Sequence, residues 1–206
     1  MSELTALSAE NLACIRGSRL VFRELNFALS SGRALAIEGP NGAGKTSLLR
    51  MIAGFLAPSA GSVRLRSNAG EIEDGEERGK FCGWLGHHDG IKPQLSVSEN
   101  LNFYARLFGA SAPMDAALSE VGLARLAELP GQYLSAGQKR RLALARLKIS
   151  NRPLWLMDEP LAALDAAGKK LASEMIAAHC ARGGMVIAAT HEPLGIECAK
   201  LMLSAP

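Results

Sequence analysis

The stretch GPNGAGKT, Gly39 to Thr46, decides how the rest of this chain is read. Its spacing is GxxxxGK[ST], and glycines at Gly39, Gly42 and Gly44 allow backbone torsions that other residues resist. With Pro40, Asn41 and Ala43 between them, the loop can turn its N–H groups toward phosphate oxygens, the N-terminus of the next helix standing behind. In that arrangement Lys45 bridges the β- and γ-phosphates, the Thr46 hydroxyl holds Mg2+, and Ser47 adds to the nucleotide contacts. The flanks supply the required context. Arg33 to Glu38 alternates as a strand, and Thr46 to Gly54 carries Leu48, Leu49, Ile52 and Ala53 at helical spacing, with Gly54 as the stop.

A phosphate loop needs a carboxylate at the end of a buried strand. The run Leu154-Trp155-Leu156-Met157 is continuously apolar, as a parallel strand covered on both faces would be, and Asp158-Glu159 follow it. Asp158 is expected to contact Mg2+ through water, and Glu159, just beyond the strand, to orient and polarise the attacking water. Two adjacent acids alone would be ordinary surface charge. Paired with the loop at Gly39 they define a nucleotide site.

Outward from these two motifs, Leu20–Phe22 and Leu25–Leu29 read as strands, with Ser31-Gly32 turning into the Arg33 strand. Ser67 to Lys80, SNAGEIEDGEERGK, reads as a solvated acidic loop. Helical patterns run from Ser96 to Ala110, Met114 to Leu129 and Ser135 to about Ile149, with Gly, Ser and Pro between the first two. Gly168 to Cys180 reads as helix and Met185 to Ala189 as a final strand. The expected fold is α/β, with an all-helical insertion at about 90–150. No internal repeat or long Pro- or Ser-rich linker divides the chain.

Composition narrows the class further. At 206 residues, with 48% hydrophobic and 21% charged residues, the chain suits one domain able to bury a real core. A net charge of +3 is too mild to argue for nucleic acid, so no nucleic-acid partner is expected. No apolar run is long enough to span a bilayer, and MSELTALSAENL lacks the basic-then-apolar pattern of a secretory signal. Cys14, Cys82, Cys180 and Cys198 form no CxxC pair and are expected to be reduced.

Between the two phosphate motifs lies Leu134-Ser135-Ala136-Gly137-Gln138, LSAGQ, at the start of a helix. It resembles the LSGGQ signature of ATP-binding-cassette (ABC) ATPases, with Ala136 in place of the middle glycine. Ala163-Leu164-Asp165 is similar to the loop that follows the catalytic acid in that family. Thr190-His191 stands where the family carries a switch histidine. The resemblance covers essentially the whole chain. It implies a P-loop ABC-type nucleotide-binding domain over residues 1–206, with an N-terminal antiparallel β subdomain. The core would span about 1–88 and 150–206, and the helical subdomain about 89–149.

The same resemblance implies ATP and Mg2+ as ligands and two copies facing head to tail. Each ATP would lie between one copy's phosphate loop and the other's Ser135, Gly137 and Gln138, with Asp165 nearby. It implies Glu159 and His191 as the catalytic pair, His191 touching the γ-phosphate. A helix N-terminus at Ser135 suits a phosphate on physical grounds too.

Two places depart from the family pattern. Where an aromatic ring usually stacks on adenine, counting back from Phe27 reaches Arg16, whose guanidinium could stack on the base or simply face solvent. Where a glutamine usually senses Mg2+ and the membrane partner, the chain reads LGHHDGIKPQL, Leu85 to Leu95. Counting back from Ser96 favours His87 for that place, and a one-residue gap would favour His88. An imidazole there could reach Mg2+ directly or through water.

Cys14-Ile15-Arg16, Gly86-His87 and Gly90-Ile91-Lys92-Pro93-Gln94-Leu95 together resemble the ATP-binding subunit of the cytochrome c maturation haem exporter. That implies integral membrane subunits as partners, docked near residues 85–110, and a peripheral place on the cytoplasmic face of a bacterial inner membrane. Competing expectations are an ABC subunit exporting a lipid, peptide or drug, and a soluble ABC ATPase of repair or translation. A metal- or haem-binding module on His87 and His88 is a third, with His179 and His191 the other histidines available.

Overall fold

The computed structural model describes residues 3–110 and 114–204. Strands β1 (Leu4–Arg16) and β2 (Arg19–Ser30) form a hairpin in which Arg16 pairs with Arg19 across Gly17-Ser18. In β1 the inward residues are Leu7 and Ala9, then Leu12 and Cys14, so the alternation changes phase. The first of three register shifts against β2 lies between Ala9 and Leu12, where Asn11 takes φ 48°. One extra residue flips every later side chain, so the bulge keeps both halves of β1 facing the core. This phase change explains why the alternation of this segment is legible only from about residue 12.

Strand β3 (Ala34–Glu38) feeds the glycine loop and helix α1 (Lys45–Ile52). β4 (Ala60–Ser67) and β5 (Gly70–Ile72) then return to the hairpin, giving an antiparallel sheet ordered β2-β1-β4-β5. Helix α2 (Gly75–Gly79) leads to β6 (Cys82–Leu85), the edge of a second sheet. Helices α3 (Val97–Phe108), α4 (Met114–Glu120) and α5 (Ala136–Ile149) form the helical insertion. The chain closes with β7 (Leu154–Asp158), α6 (Ala166–Ala181), β8 (Met185–Ala189) and β9 (Ala199–Met202). The second sheet is parallel throughout, ordered β6-β7-β8-β3-β9.

Every residue of β7 and β8 is buried, and the two faces divide the core. Leu154, Leu156, Met185, Ile187, Leu35 and Ile37 pack with α1 and the antiparallel sheet. Trp155, Met157, Val186, Ala188, Ala34 and Ala36 pack with α3, α5 and α6. A strand apolar at every position can be stable only between two such layers. Among the described residues no helix is long and apolar enough to cross a membrane.

Three expectations are corrected. The acidic stretch Ser67–Lys80 is not a bare solvated loop, because it contains β5, α2 and the buried Arg78. Arg78 donates to the Met51 carbonyl at 3.0 Å, Ile52 at 3.3 Å and Val63 at 3.1 Å. It therefore adds a side-chain donor at the C-terminus of α1, where the Met51 carbonyl also accepts from Gly54 N–H at 3.1 Å. Second, the pattern from Met114 to Leu129 is not one helix: α4 stops at Glu120, and a short 3-10 turn covers Ala124–Leu126. Carbonyls of that irregular segment accept from the α3 N-terminus, Leu129 from Val97 N–H and Ala127 from Ser98 N–H. Third, β8 is not the last strand, since β9 adds to the edge beside β3. Its side chains are mostly exposed, so it carries no alternation to read. The expected Ser–Pro break at Ser111 and Pro113 lies outside the described residues.

His179, on α6, stacks on Trp155 with ring centroids 3.9 Å apart and 9° between planes. Its Nε2 lies 3.1 Å from the Pro153 carbonyl, and burial pushes its pKa down to about 4. The unfolded chain titrates this group near 6.5, so between these values it binds a proton that the folded chain refuses. Stability therefore rises with pH across this window and is lost as pH falls from about 6.5 to about 4, by about 3 kcal/mol in all. Replacing His179 by Phe is expected to flatten this loss. Urea unfolding of both proteins at pH 4.5 and 7.0 measures it, and equal pH slopes would count against it.

Candidate nucleotide-binding site

The ends of β3 and β7 sit on either side of β8, where Ala189 pairs with both Ile37 and Asp158. This topology brings the glycine loop and the acidic pair to one edge of the sheet. The loop closes tightly. A Cβ on Gly39, at φ 144°, would lie 2.2 Å from the Leu203 carbonyl oxygen, and one on Gly44, at φ 97°, 2.4 Å from Val21 Cγ1. Only glycine fits either place.

Lys45 begins α1 and is 8% exposed. Its Nζ donates to the Gly39 carbonyl at 2.7 Å and the Pro40 carbonyl at 3.2 Å. The His191 Nε2 lies 3.0 Å from the same Nζ. Asn41 Oδ1 is 3.2 Å from that Nε2. Thr46 donates its hydroxyl to Asp158 Oδ2 at 2.9 Å. Those are two hard oxygen ligands converging beside the loop, a donor set that suits Mg2+.

Glu159 follows β7 at φ 49°, a left-handed torsion costing about 1–2 kcal/mol for a non-glycine residue. Three bonds hold it there: its N–H donates to the Ala189 carbonyl at 2.8 Å, and its carbonyl accepts from Ala162 N–H at 3.1 Å and from Arg140. Its Oε1 stands 3.5 Å from His191 Nε2. The turn also places the side chain on the cavity wall. That cavity, about 580 Å3, is lined by the loop, by Thr46 and Ser47, and by Asp158 and Glu159. Arg16, Arg19, Val21 and His87 complete it. His87 lines it, whereas His88 is not among its walls; the two rings meet edge to face at 5.4 Å.

A second constellation forms at the start of α5. Ser135 accepts from Gln138 N–H at 3.2 Å, and Gln138 Oε1 accepts from Ser135 N–H at 2.8 Å, a reciprocal capping box. LSAGQ is thus first of all a helix start, and a Cβ on Gly137 would approach the Ala163 carbonyl to 2.9 Å. Asp165 caps α6 through Gly168 N–H at 2.7 Å and accepts from Arg141 at 2.7 Å. Those partners, Gly168 first, hold its carboxyl below the usual carboxylate range. Ser135, Gly137, Gln138 and Asp165 are not among the residues lining the phosphate-loop cavity. The expected site residues thus fall into two separate groups on one chain.

Sequence reading missed Arg19 and Arg140. Arg19 shares the cavity wall with Arg16, and nothing in its strand pattern marks it. Arg140 is 3% exposed, although it stands inside the basic run KRR at Lys139–Arg141. Its helical register was the available signal: Arg140, Leu144 and Leu147 share one face at i, i+4 and i+7, and that face is buried.

A sequence model of the family described as "ABC transporter" matches residues 22–162. The cytochrome c biogenesis ATP-binding export protein CcmA of Paramagnetospirillum magneticum is 51% identical over 201 residues, covering 95% of this chain and 92% of that protein. Its namesake from Rhodopseudomonas palustris (strain BisB5) is 48% identical over 200 residues, covering 97% and 98%. Among solved structures, a putative ABC transporter ATP-binding protein from Pyrococcus furiosus superposes with TM-score 0.83 at 24% identity, covering 97% of this chain and 98% of that one. A dimeric ATP-binding cassette in a post-hydrolysis state, bound to ADP and Pi, gives 0.76 at 23% identity, covering 90% and 88%. At those identities the structural likeness is one of fold.

Proposed function

Since this chain belongs to the ABC transporter family, among its cytochrome c biogenesis ATP-binding export proteins, we propose that it hydrolyses ATP to drive a membrane complex that exports haem for cytochrome c assembly. The observation that carries the catalytic reading is the meeting of five groups at one sheet edge. Thr46 is bonded to Asp158, Lys45 lies on the loop, and Glu159 faces His191 at 3.5 Å.

In this reading the loop from Gly39 to Ser47 holds the phosphates and Lys45 exchanges its carbonyl partners for phosphate oxygens. Thr46 and Asp158 would hold Mg2+, with His87 at its margin, and the ion when bound neutralises phosphate charge. Glu159 accepts the proton of the attacking water, and His191 contacts the γ-phosphate. Arg16 and Arg19 flank the base with guanidinium planes, where stacking replaces the usual aromatic ring.

The two separate groups of site residues favour a second copy as partner. Ser135, Gly137 and Gln138 of one copy would close over the phosphates held by the other, with Asp165 beside them. A positive helix end is suited to that contact. Integral membrane subunits would dock along residues 85–110, where Phe103 and Leu107 are exposed. The chain would then sit on the cytoplasmic face of the inner membrane, and haem would pass through the membrane subunits.

Complementation tests the cargo. Expressed in a Paramagnetospirillum magneticum strain lacking its own CcmA, the chain is expected to restore covalently haem-loaded cytochromes c on haem-stained gels. If it hydrolyses ATP when purified yet restores none, the cargo is instead a lipid, peptide or drug.

A further inference from the structure

Arg140 is a buried cation that the catalytic scheme leaves unused. Its guanidinium donates in two directions. One nitrogen, Nη1, reaches the Gly86 carbonyl at 2.9 Å and Asp89 Oδ1 at 2.8 Å. The other, Nη2, reaches the Asp158 carbonyl at 2.7 Å and the Glu159 carbonyl. Among the described residues the Nε has no partner, although it is buried.

Among the described residues, the loop that Arg140 grips is hydrogen-bonded to the helical insertion through three side chains, Arg140 itself among them. Arg146 of α5 donates to the Asp89 carbonyl at 2.5 Å and lies 4.6 Å over the Tyr104 ring. Tyr104 of α3 donates to the Gly90 carbonyl at 2.6 Å. The loop carries His87 on the cavity wall and runs on into the exposed groove of Ile91–Leu95 and Phe103. On its other side, Arg140 touches the one peptide whose left-handed torsion aims Glu159 at the cavity.

We propose that Arg140 is a positioning residue: it locks the Asp158–Glu159 peptide to the Gly86–Asp89 loop, so that the place of the Glu159 carboxylate follows the place of that loop. A planar five-donor fork can span two backbones in this way, and an ammonium cannot. The inference rests on Glu159 accepting the proton from water. Displacing a reacting group by about 1 Å costs about 10²-fold in rate.

The test compares Arg140→Lys, Arg140→Gln and Asp89→Asn with the parent chain, each titrated for ATP-binding sites so that turnover is counted per folded site. Arg140→Lys and Arg140→Gln are expected to lower kcat about 10- to 100-fold while KM for ATP stays within about 2-fold. Asp89→Asn is expected to lower kcat less, and to have no further effect in the Arg140→Gln background, because its action runs through Arg140. Unchanged kcat per site in both Arg140 variants would overturn the proposal, as would full additivity with Asp89→Asn. If Arg140→Gln does not fold, Arg140→Lys and Asp89→Asn decide: parental kcat in both overturns it. Glu159→Gln run alongside separates the failures, since parental turnover there removes the reading of Glu159 itself.

Discussion

Glu159→Gln is expected to bind ATP like the parent chain and to hydrolyse it about 10²–10⁴-fold more slowly, the loss typical of a missing general base. The substitution is nearly isosteric, and the bonds that hold residue 159 are made by its backbone, to Ala189, Ala162 and Arg140. The turn and the cavity wall therefore persist, and only the proton acceptor is lost. Thr46, Asp158 and Lys45, which carry the binding side of the site, are untouched. Slow hydrolysis should leave ATP between two copies for longer. Size-exclusion chromatography with ATP and Mg2+ is expected to show a dimer that the parent chain shows only fleetingly. Parental turnover by the variant would falsify the assignment of Glu159 as base.

Why so much of this site was legible in the sequence has a physical answer. GPNGAGKT and LWLMDE are each dictated by local needs: glycine torsions in a loop closed against Leu203 and Val21, and a strand covered on both faces. Such needs leave little freedom of residue type, so the residues announce the geometry. Ser135 was legible as a helix start and Gln138 only through the resemblance to LSGGQ; in the structure the two close a capping box at its set spacing.

What escaped reading depends on partners far apart in the chain. Arg78 caps α1 from 26 residues away, and its acidic surroundings disguise it as solvent-facing. Arg140 reaches the loop 54 residues before it, so its partners cannot be inferred from its neighbours in a basic run. β9 is held by pairing to β3 rather than by its own pattern. The first half of β1 was hidden by a bulge, a single inserted residue that reverses the phase of alternation. The pair His87-His88 is the mixed case. Their type suggests a metal, yet what matters about His87 is that its loop is pinned by Arg140 and Arg146 beside the nucleotide cavity.

Lys45→Ala should remove ATP binding altogether at the concentrations where the parent chain saturates. The ammonium is the one lysine charge on the cavity wall, and a hydrogen bond between charged groups contributes about 1.5–3 kcal/mol. Removing its bonds to both the β- and the γ-phosphate costs about 3–6 kcal/mol, a weakening of about 10²–10⁴-fold. Arg16 and Arg19 also line the cavity, and the proposed reading assigns them to the base, so neither is expected to substitute for Lys45 at the phosphates. The fold should survive, because the partners that Lys45 gives up are the Gly39 and Pro40 carbonyls, beside an exposed Pro40, and His191, also exposed. Water can satisfy all three. Equilibrium titration with a fluorescent ATP analogue, set beside thermal unfolding of the same sample, separates the two effects. Tight binding by a folded Lys45→Ala protein would mean that the phosphates lie elsewhere. The pairing of Thr46 with Asp158 would then be a structural bond and no part of a nucleotide site.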